Sequence, residues 1–132
     1  MEGGVVRSGV VPGHWIEFYE STHIPAAVRD GDRLYVTGHT GEDAGGNFSA
    51  DPEEQIRQTF RNLESTLEEA GVTWADVVAL NSYHVGLQAQ ADAAIAIAGE
   101  FLSDPYPAWT AVGVTELIDE CAVVEISCIA TV

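Results

Sequence analysis

Apolar residues in the middle of the chain recur at the spacing of an α-helix. Asp51 can cap a helix that starts at Pro52, a residue suited to the first helical position, and Gly71 is typical of a helix end. The apolar residues between them form one stripe: Ile56, Phe60, Leu63, Leu67 and Ala70. A second stripe ends before Asp104-Pro105 and predicts a second helix: Ala91, Ala94, Ile95, Ala98 and Leu102.

Shorter stretches rich in β-branched and aromatic residues predict five strands around these helices. Their bounds in chain order are Ile24 to Arg29, Arg33 to Gly38, Val77 to Val85, Trp109 to Thr115 and Ala122 to Thr131. In the last strand the even-numbered positions are all apolar and should face the helices, whereas the odd-numbered positions mix polar and apolar side chains. The pattern predicts an α+β fold with the order β-β-α-β-α-β-β.

The length and the termini indicate one domain over residues 1–132. With 132 residues, 46% of them hydrophobic, the chain can close one core. Residues 1–23 are an N-terminal extension or an extra edge strand, because Val5-Val6 and Trp15 to Tyr19 are apolar enough to add a strand or to pack across a subunit boundary. No apolar run reaches the length of a membrane span, and Met1 to Gly4 starts no signal peptide. We therefore expect a soluble cytoplasmic protein that binds no membrane.

The charge of the chain limits its partners. The net charge is −16, and the five cations are all arginines. Such a surface repels phosphate backbones, so nucleic acid is not an expected partner, and the absence of lysine excludes a side-chain Schiff base. Cys121 and Cys128 should be small buried hydrophobic residues in a reducing compartment. The four histidines show no metal-ligand spacing, so we expect neither a metal nor another cofactor.

One segment near the C-terminus resembles the signature of a known family. Tyr106 to Val114, followed by Val124-Glu125-Ile126, is similar to the signature of the reactive intermediate deaminase family (Rid, formerly YjgF, also labelled endoribonuclease L-PSP). Leu34 to His39 resembles the family's strand ending in Ser-Gly-Gln, and Gln55 to Gly71 resembles its first helix. The resemblance implies a chorismate-mutase-like fold, with a single mixed sheet and two helices on one face, assembled as a homotrimer.

The resemblance also implies a small-molecule pocket in clefts between subunits. Four positions correspond to it: Thr37, His39, Trp109 and Glu125. Glu125 matches an acidic residue assigned to water activation, and desolvation would raise its pKa, although it could also be a solvated strand residue. His39 could be a proton shuttle, a hydrogen-bond partner or a surface residue, and Gly38 lets the backbone approach a ligand. His84 could point into the same cleft or into the core.

Trp109 stands where deaminating members carry an arginine that binds the carboxylate of a 2-imino acid. It shares its strand face with Ala111 and Gly113, so an aromatic wall should stand beside open space. This arrangement fits a flat, neutral or apolar ligand, unless the indole itself fills the pocket. Ala111 stands where some members have a cysteine, so thiol chemistry is not expected there.

Two functions of different classes follow. The first is a Rid-like hydrolase or deaminase that acts on an enamine, imine or related neutral intermediate and is not a standard 2-imino acid deaminase. The second is a non-catalytic trimer that binds a small molecule or has a structural role. A ribonuclease is a third alternative, which the negative charge disfavours. An open pocket that holds Glu125, His39 and Trp109 with room for a water would favour the enzyme, whereas an indole packed flat against its neighbours without a void would favour the second function.

Overall fold

The computed structural model describes residues 7–132, and six strands within this range form one mixed sheet. The strands are Arg7–Val10 (β1), Ala27–Asp30 (β2), Arg33–His39 (β3), Val77–His84 (β4), Ala108–Gly113 (β5) and Val124–Thr131 (β6). Their order is β1-β2-β3-β6-β4-β5, and all neighbours are antiparallel except β4 and β5. The helices are Ile16–Thr22 (α1), Pro52–Glu69 (α2) and Leu87–Ala98 (α3), and 3₁₀ turns cover Gly13–Trp15 and Trp74–Asp76. The predicted α+β class and single mixed sheet are confirmed.

Helices α2 and α3 cover one face of the sheet, and the core lies between them and the strands. The Asp51 side chain caps α2 by accepting a hydrogen bond of 3.0 Å from the Glu53 amide. The predicted stripe of α2 is buried, and Phe60 stacks on Phe101 with ring centroids 5.2 Å apart. No helix among residues 7–132 is long and apolar enough to cross a membrane.

The second helix starts and ends earlier than its apolar stripe indicates. It begins at Leu87, because Gly86 takes the left-handed backbone (φ 92°) that turns the chain out of β4. It ends at Ala98, but the Leu102 amide still bonds the Ala98 carbonyl at 2.9 Å. Leu102, the last apolar residue of the stripe, therefore lies in a turn after the helix and packs against the core from there.

The N-terminal region contributes both an edge strand and a short helix. Strand β1 pairs antiparallel with β2, whereas the run Trp15 to Tyr19 belongs to the 3₁₀ turn and α1 and is not a strand. The Trp15 indole nitrogen donates to the Ile24 carbonyl at 2.8 Å and fixes this segment to the chain entering β2. Val5-Val6 lie outside the described residues.

The alternation predicted for the last strand is confirmed. Val124, Ile126, Cys128 and Ala130 are at most 2% exposed and face the helices. The residues that alternate with core positions define what we call the open face: Tyr35, Asn81, Tyr83, Glu125, Ser127 and Ile129. The open-face side chains of β5, among them Val112, are exposed.

The two cysteines differ in their surroundings, and both are free thiols. Cys128 is buried as predicted, and burial raises the pKa of its thiol to about 12. The prediction that Cys121 is buried was wrong. Strand β6 starts at Val124, so Cys121 lies in the preceding turn and is exposed.

Candidate functional site

Glu125 lies on the open face, over the backbone of the neighbouring strand β3. In β6 it pairs with Tyr83 of β4, and its side chain extends the other way, towards Gly38. A Cβ atom at Gly38 would lie 2.8 Å from the Glu125 carboxyl carbon and 2.9 Å from its Cγ. Glycine is therefore required at position 38 for the Glu125 carboxyl to occupy this place.

The electrostatic surroundings of Glu125 are those of a carboxyl group that can exchange protons. The side chain is half-buried, and loss of water raises its pKa above the ordinary value. Within residues 7–132, no charge or hydrogen bond opposes this shift. A carboxyl group with a raised pKa and free oxygen atoms can both accept and deliver a proton closer to neutral pH.

A bulge in β3 decides which of its residues reach this site. Val36 pairs with Cys128 and His39 pairs with Ile126, so two residues of β3 stand opposite one residue of β6. In a regular strand His39 would face away from Val36. Because of the bulge both point to the helices, and Gly38 points to the open face.

His39 consequently lies on the opposite side of the sheet from Glu125. It is 2% exposed, and its ring packs 4.6 Å from the Trp15 ring. Nδ1 lies 2.6 Å from the Thr37 carbonyl, which can only accept, so Nδ1 donates and Nε2 accepts from the Thr66 hydroxyl at 2.8 Å. Burial lowers the pKa of His39 to about 4, although the bond to Thr37 opposes the shift. This geometry corrects the prediction that His39 assists catalysis, because it is a neutral, structural histidine.

Thr37 uses its polar groups within the chain. Its hydroxyl donates to the Pro25 carbonyl at 2.7 Å, and its amide donates to the Ala26 carbonyl at 2.9 Å. These bonds hold the bulge against the segment entering β2. Thr37 therefore positions the backbone next to Gly38, and its hydroxyl proton is not free for a ligand.

Trp109 lies on the helix face and borders an open pocket. It pairs with buried Leu80, and its indole nitrogen donates to the Ser82 hydroxyl at 2.8 Å. The indole does not fill the space beside it, since a pocket of about 240 Å³ remains between β5 and α3. We call this the indole pocket, and it is lined by His84, Leu87, Ala91, Ala94, Ile95, Trp109 and Ala111.

A hydrogen-bond chain runs behind the indole pocket. The Gln90 amide nitrogen donates to two backbone oxygens, those of Val85 and Val123. Its oxygen must therefore accept from His84 Nδ1, 2.8 Å away. His84 Nε2 then accepts from the Ser82 hydroxyl at 2.8 Å, and Ser82 in turn accepts from Trp109. The sequence left two alternatives for His84, the core or the cleft. In the structure it is buried at the floor of the indole pocket, and both of its ring nitrogens have hydrogen-bond partners.

Ser82 and Gln90 were not among the predicted site residues. Ser82 and His84 are two residues apart in β4, so strand alternation places both side chains on one face, and this spacing is a signal for Ser82. Gln90 has no such signal, because it comes from α3 and meets His84 only through the tertiary packing.

Five of the seven predicted site residues therefore form two groups on opposite faces of the sheet, and Thr37 and His39 belong to neither. Glu125 and Gly38 lie together on the open face. Trp109, Ala111 and His84 line the indole pocket on the helix face. A single chain does not bring the two groups together.

The comparisons with known proteins agree with this architecture. The family model described as Endoribonuclease L-PSP matches residues 19–132. The RutC family protein YjgH of Escherichia coli (strain K12) is 38% identical over 114 residues, which are 86% of this chain and 87% of that protein.

Two solved structures share the fold over nearly the whole chain. A structural-genomics structure of protein YJGH has a TM-score of 0.85 and 36% identity, covering 96% of each chain. Rv2704 from Mycobacterium tuberculosis, described as a member of the YjgF/YER057c/UK114 family, has a TM-score of 0.82 and 30% identity, covering 96% of this chain and 100% of that one. The resemblance inferred from the sequence is confirmed, and the chain belongs to the YjgF family, also known as the reactive intermediate deaminase or endoribonuclease L-PSP family.

Proposed function

We propose that this protein is a Rid-like hydrolase that acts on the C–N bond of a neutral imine or enamine, in clefts between the subunits of a cytoplasmic homotrimer. The observation that carries the proposal is the Glu125 carboxyl group. It is half-buried against Gly38, and its pKa is raised by loss of water alone. Within residues 7–132, no cation and no hydrogen-bond donor pairs with its oxygen atoms, which supports a role in proton exchange.

The reaction needs one group that moves protons to and from water. For an imine, the Glu125 carboxylate accepts a proton from water while the water oxygen bonds to the imine carbon, and it passes that proton to the nitrogen, which gives a neutral carbinolamine. The carboxylate then takes the hydroxyl proton of the carbinolamine and passes it to the amine nitrogen, and the C–N bond breaks as the carbonyl forms and ammonia leaves. Imine and water thus give a carbonyl compound and ammonia.

The proposed site needs two subunits, because Glu125 and the indole pocket of one chain lie on opposite faces of its sheet. A substrate cannot touch Glu125 and the indole pocket of the same chain, since the sheet lies between them. The open face exposes Tyr35 and Val112 to 46% and 40%, which is apolar surface that a second copy would cover. In a closed trimer, the open face of one copy can meet the β5 edge of the next in three equivalent clefts.

We expect light scattering at micromolar concentration to give three times the 14.1 kDa mass of one chain. Burial of the exposed apolar side chains of the open face is the driving force. A monomer mass at this concentration would remove the subunit cleft and, with it, the shared site.

Substrate charge provides the direct test of the proposed function. The five arginines stand at positions 7, 29, 33, 57 and 61, so none lies on β5 or α3. A 2-imino acid therefore loses a charge-assisted pair worth about 1.5 to 3 kcal/mol and meets a protein of net charge −16. We expect hydrolysis of 2-iminopropionate and 2-iminobutyrate near background and clear acceleration for a neutral imine such as benzaldimine.

The measurement is ammonia release from imines generated in place by an oxidase. Acceleration of 2-iminopropionate to the level of arginine-bearing family members would overturn the assignment of Trp109. No acceleration of any neutral imine would favour the alternative, a non-catalytic binding trimer. The observation that favours that alternative is the indole pocket itself, whose polar atoms are all engaged in the hydrogen-bond chain.

A further inference from the structure

The indole pocket presents almost only carbon to a ligand. Besides Trp109 and His84, its walls are aliphatic: Leu87, Ala91, Ala94, Ile95 and Ala111. The two aromatic side chains contribute three ring nitrogens, and each of these already has a hydrogen-bond partner at 2.8 Å. A polar group that entered the pocket would lose its water and find no free donor or acceptor on these side chains.

The wall of the pocket is fixed before any ligand arrives. The bond from the indole nitrogen to Ser82 holds the plane of Trp109, and Ser82 is itself held by His84. Gln90 anchors His84, because its amide nitrogen bonds the backbone of the residue after β4 and of the residue before β6. A preformed aromatic wall binds a flat ring with little loss of side-chain entropy.

The volume of the pocket sets the size of the group it takes. A cavity of roughly 150 Å³ lined by apolar side chains is known to bind benzene. The indole pocket, at about 240 Å³, has room for one ring of that size with a short substituent.

We propose that the indole pocket binds a flat, uncharged hydrocarbon ring of about the size of benzene, and that the substrates of this protein are neutral imines or enamines carrying such a ring. The second half of this inference rests on the proposed function, and the first half does not. The ring would lie against Trp109 of one subunit, and the C–N group would extend towards Glu125 of the next.

Benzene and pyrazine are the probes, and ligand-observed NMR on the full chain is the measurement. The two rings have the same shape, but pyrazine carries a hydrogen-bond acceptor at each end, where benzene has C–H groups. We expect pyrazine to bind about 10-fold more weakly than benzene or worse, because a nitrogen that turns towards the pocket wall loses its water and finds no free donor on the lining side chains. Equal affinity for the two rings would overturn the proposal, as would absence of benzene binding.

Two alanines of α3 provide a matched pair of variants. Ala91 lines the pocket, whereas Ala96 is exposed and does not line it. Ala91→Leu should lower benzene affinity at least 10-fold by filling the space, and Ala96→Leu should leave it unchanged. Both substitutions suit a helix, so their melting temperatures should stay close to that of the wild type. Equal benzene binding by the two variants would place the ring elsewhere and overturn the proposal.

The hydrogen-bond chain is tested by Ser82→Ala. Removing the hydroxyl frees the Trp109 N–H and leaves His84 Nε2 without its donor. The pyrazine-to-benzene affinity ratio should then rise towards one. If the ratio stays at the wild-type value in a folded variant, the paired polar atoms do not set the selectivity and this part of the proposal fails.

Binding and turnover separate this inference from the proposed function. Glu125 does not line the indole pocket, and benzene has no C–N group that would extend towards Glu125 of the next subunit. Glu125→Gln should therefore bind benzene as well as the wild type does, while it loses the turnover of imines. Benzene binding without hydrolysis of any neutral imine would leave the ring pocket standing and remove the enzyme. Hydrolysis of imines that carry no ring, without benzene binding, would support the enzyme and overturn the ring pocket.

Discussion

Glu125→Gln should lower the turnover of benzaldimine by roughly 100-fold or more, which is the usual contribution of a positioned acid or base. The amide keeps the shape of the side chain above Gly38 but cannot accept the proton of the attacking water. No cation in residues 7–132 influences the Glu125 pKa, so no ion pair is broken and the fold should be unaffected. Ammonia release measures the turnover, and a melting curve and light scattering check the fold and the assembly.

Gly38→Ala provides a second route to the same site without changing any charge. The added methyl group would lie 2.8 Å from the Glu125 carboxyl carbon, so the carboxyl group must move. Turnover should fall while the charge of the site and its proton acceptor remain. A folded Glu125→Gln trimer with intact turnover would mean that Glu125 has no catalytic role, and it would favour the non-catalytic binding protein.

The helices and the core face of the sheet could be predicted because each depends on a local, repeated pattern. The stripe of α2 follows from the helix period, and its cap at Asp51 needs only neighbouring residues. The even positions of β6 are apolar and face the helices, as strand alternation requires. The fold keeps these patterns because burial of the apolar face drives folding.

The site was predicted only in part because two of its determinants are not local. Counting alternate residues in β3 places His39 opposite to where the bulge puts it. The bulge is held by bonds from Thr37 to Pro25 and Ala26, which lie across the turn between β2 and β3. The pairing of His84 with Gln90 likewise depends on how α3 packs on β4. In both cases a side chain takes its direction from a contact that the spacing of residues does not encode.

His39 should make the stability of the protein fall as the pH drops from about 6.5 towards 4. Its pKa is about 4 in the folded chain, against an ordinary value of 6.5, chiefly because burial disfavours the charged ring. The depressed pKa means that the unfolded chain binds the proton first, so the stability contributed by neutral His39 is complete above 6.5 and is lost below it. Over the full window the loss is about 3 kcal/mol.

The matched variant is His39→Gln, which places an uncharged residue between Trp15 and Thr66. Carboxyl groups titrate in the same window, so the relevant quantity is the difference in pH dependence between the two proteins. In urea denaturation at pH 7.5 and pH 4.5, the free energy of unfolding of the wild type should fall by about 2 to 3 kcal/mol more than that of the variant. The variant can be less stable than the wild type at pH 7.5, because the bond to Thr66 changes, without affecting this comparison. Parallel losses in the two proteins would mean that His39 takes up its proton as readily folded as unfolded, and would contradict its burial as a neutral ring beneath Trp15.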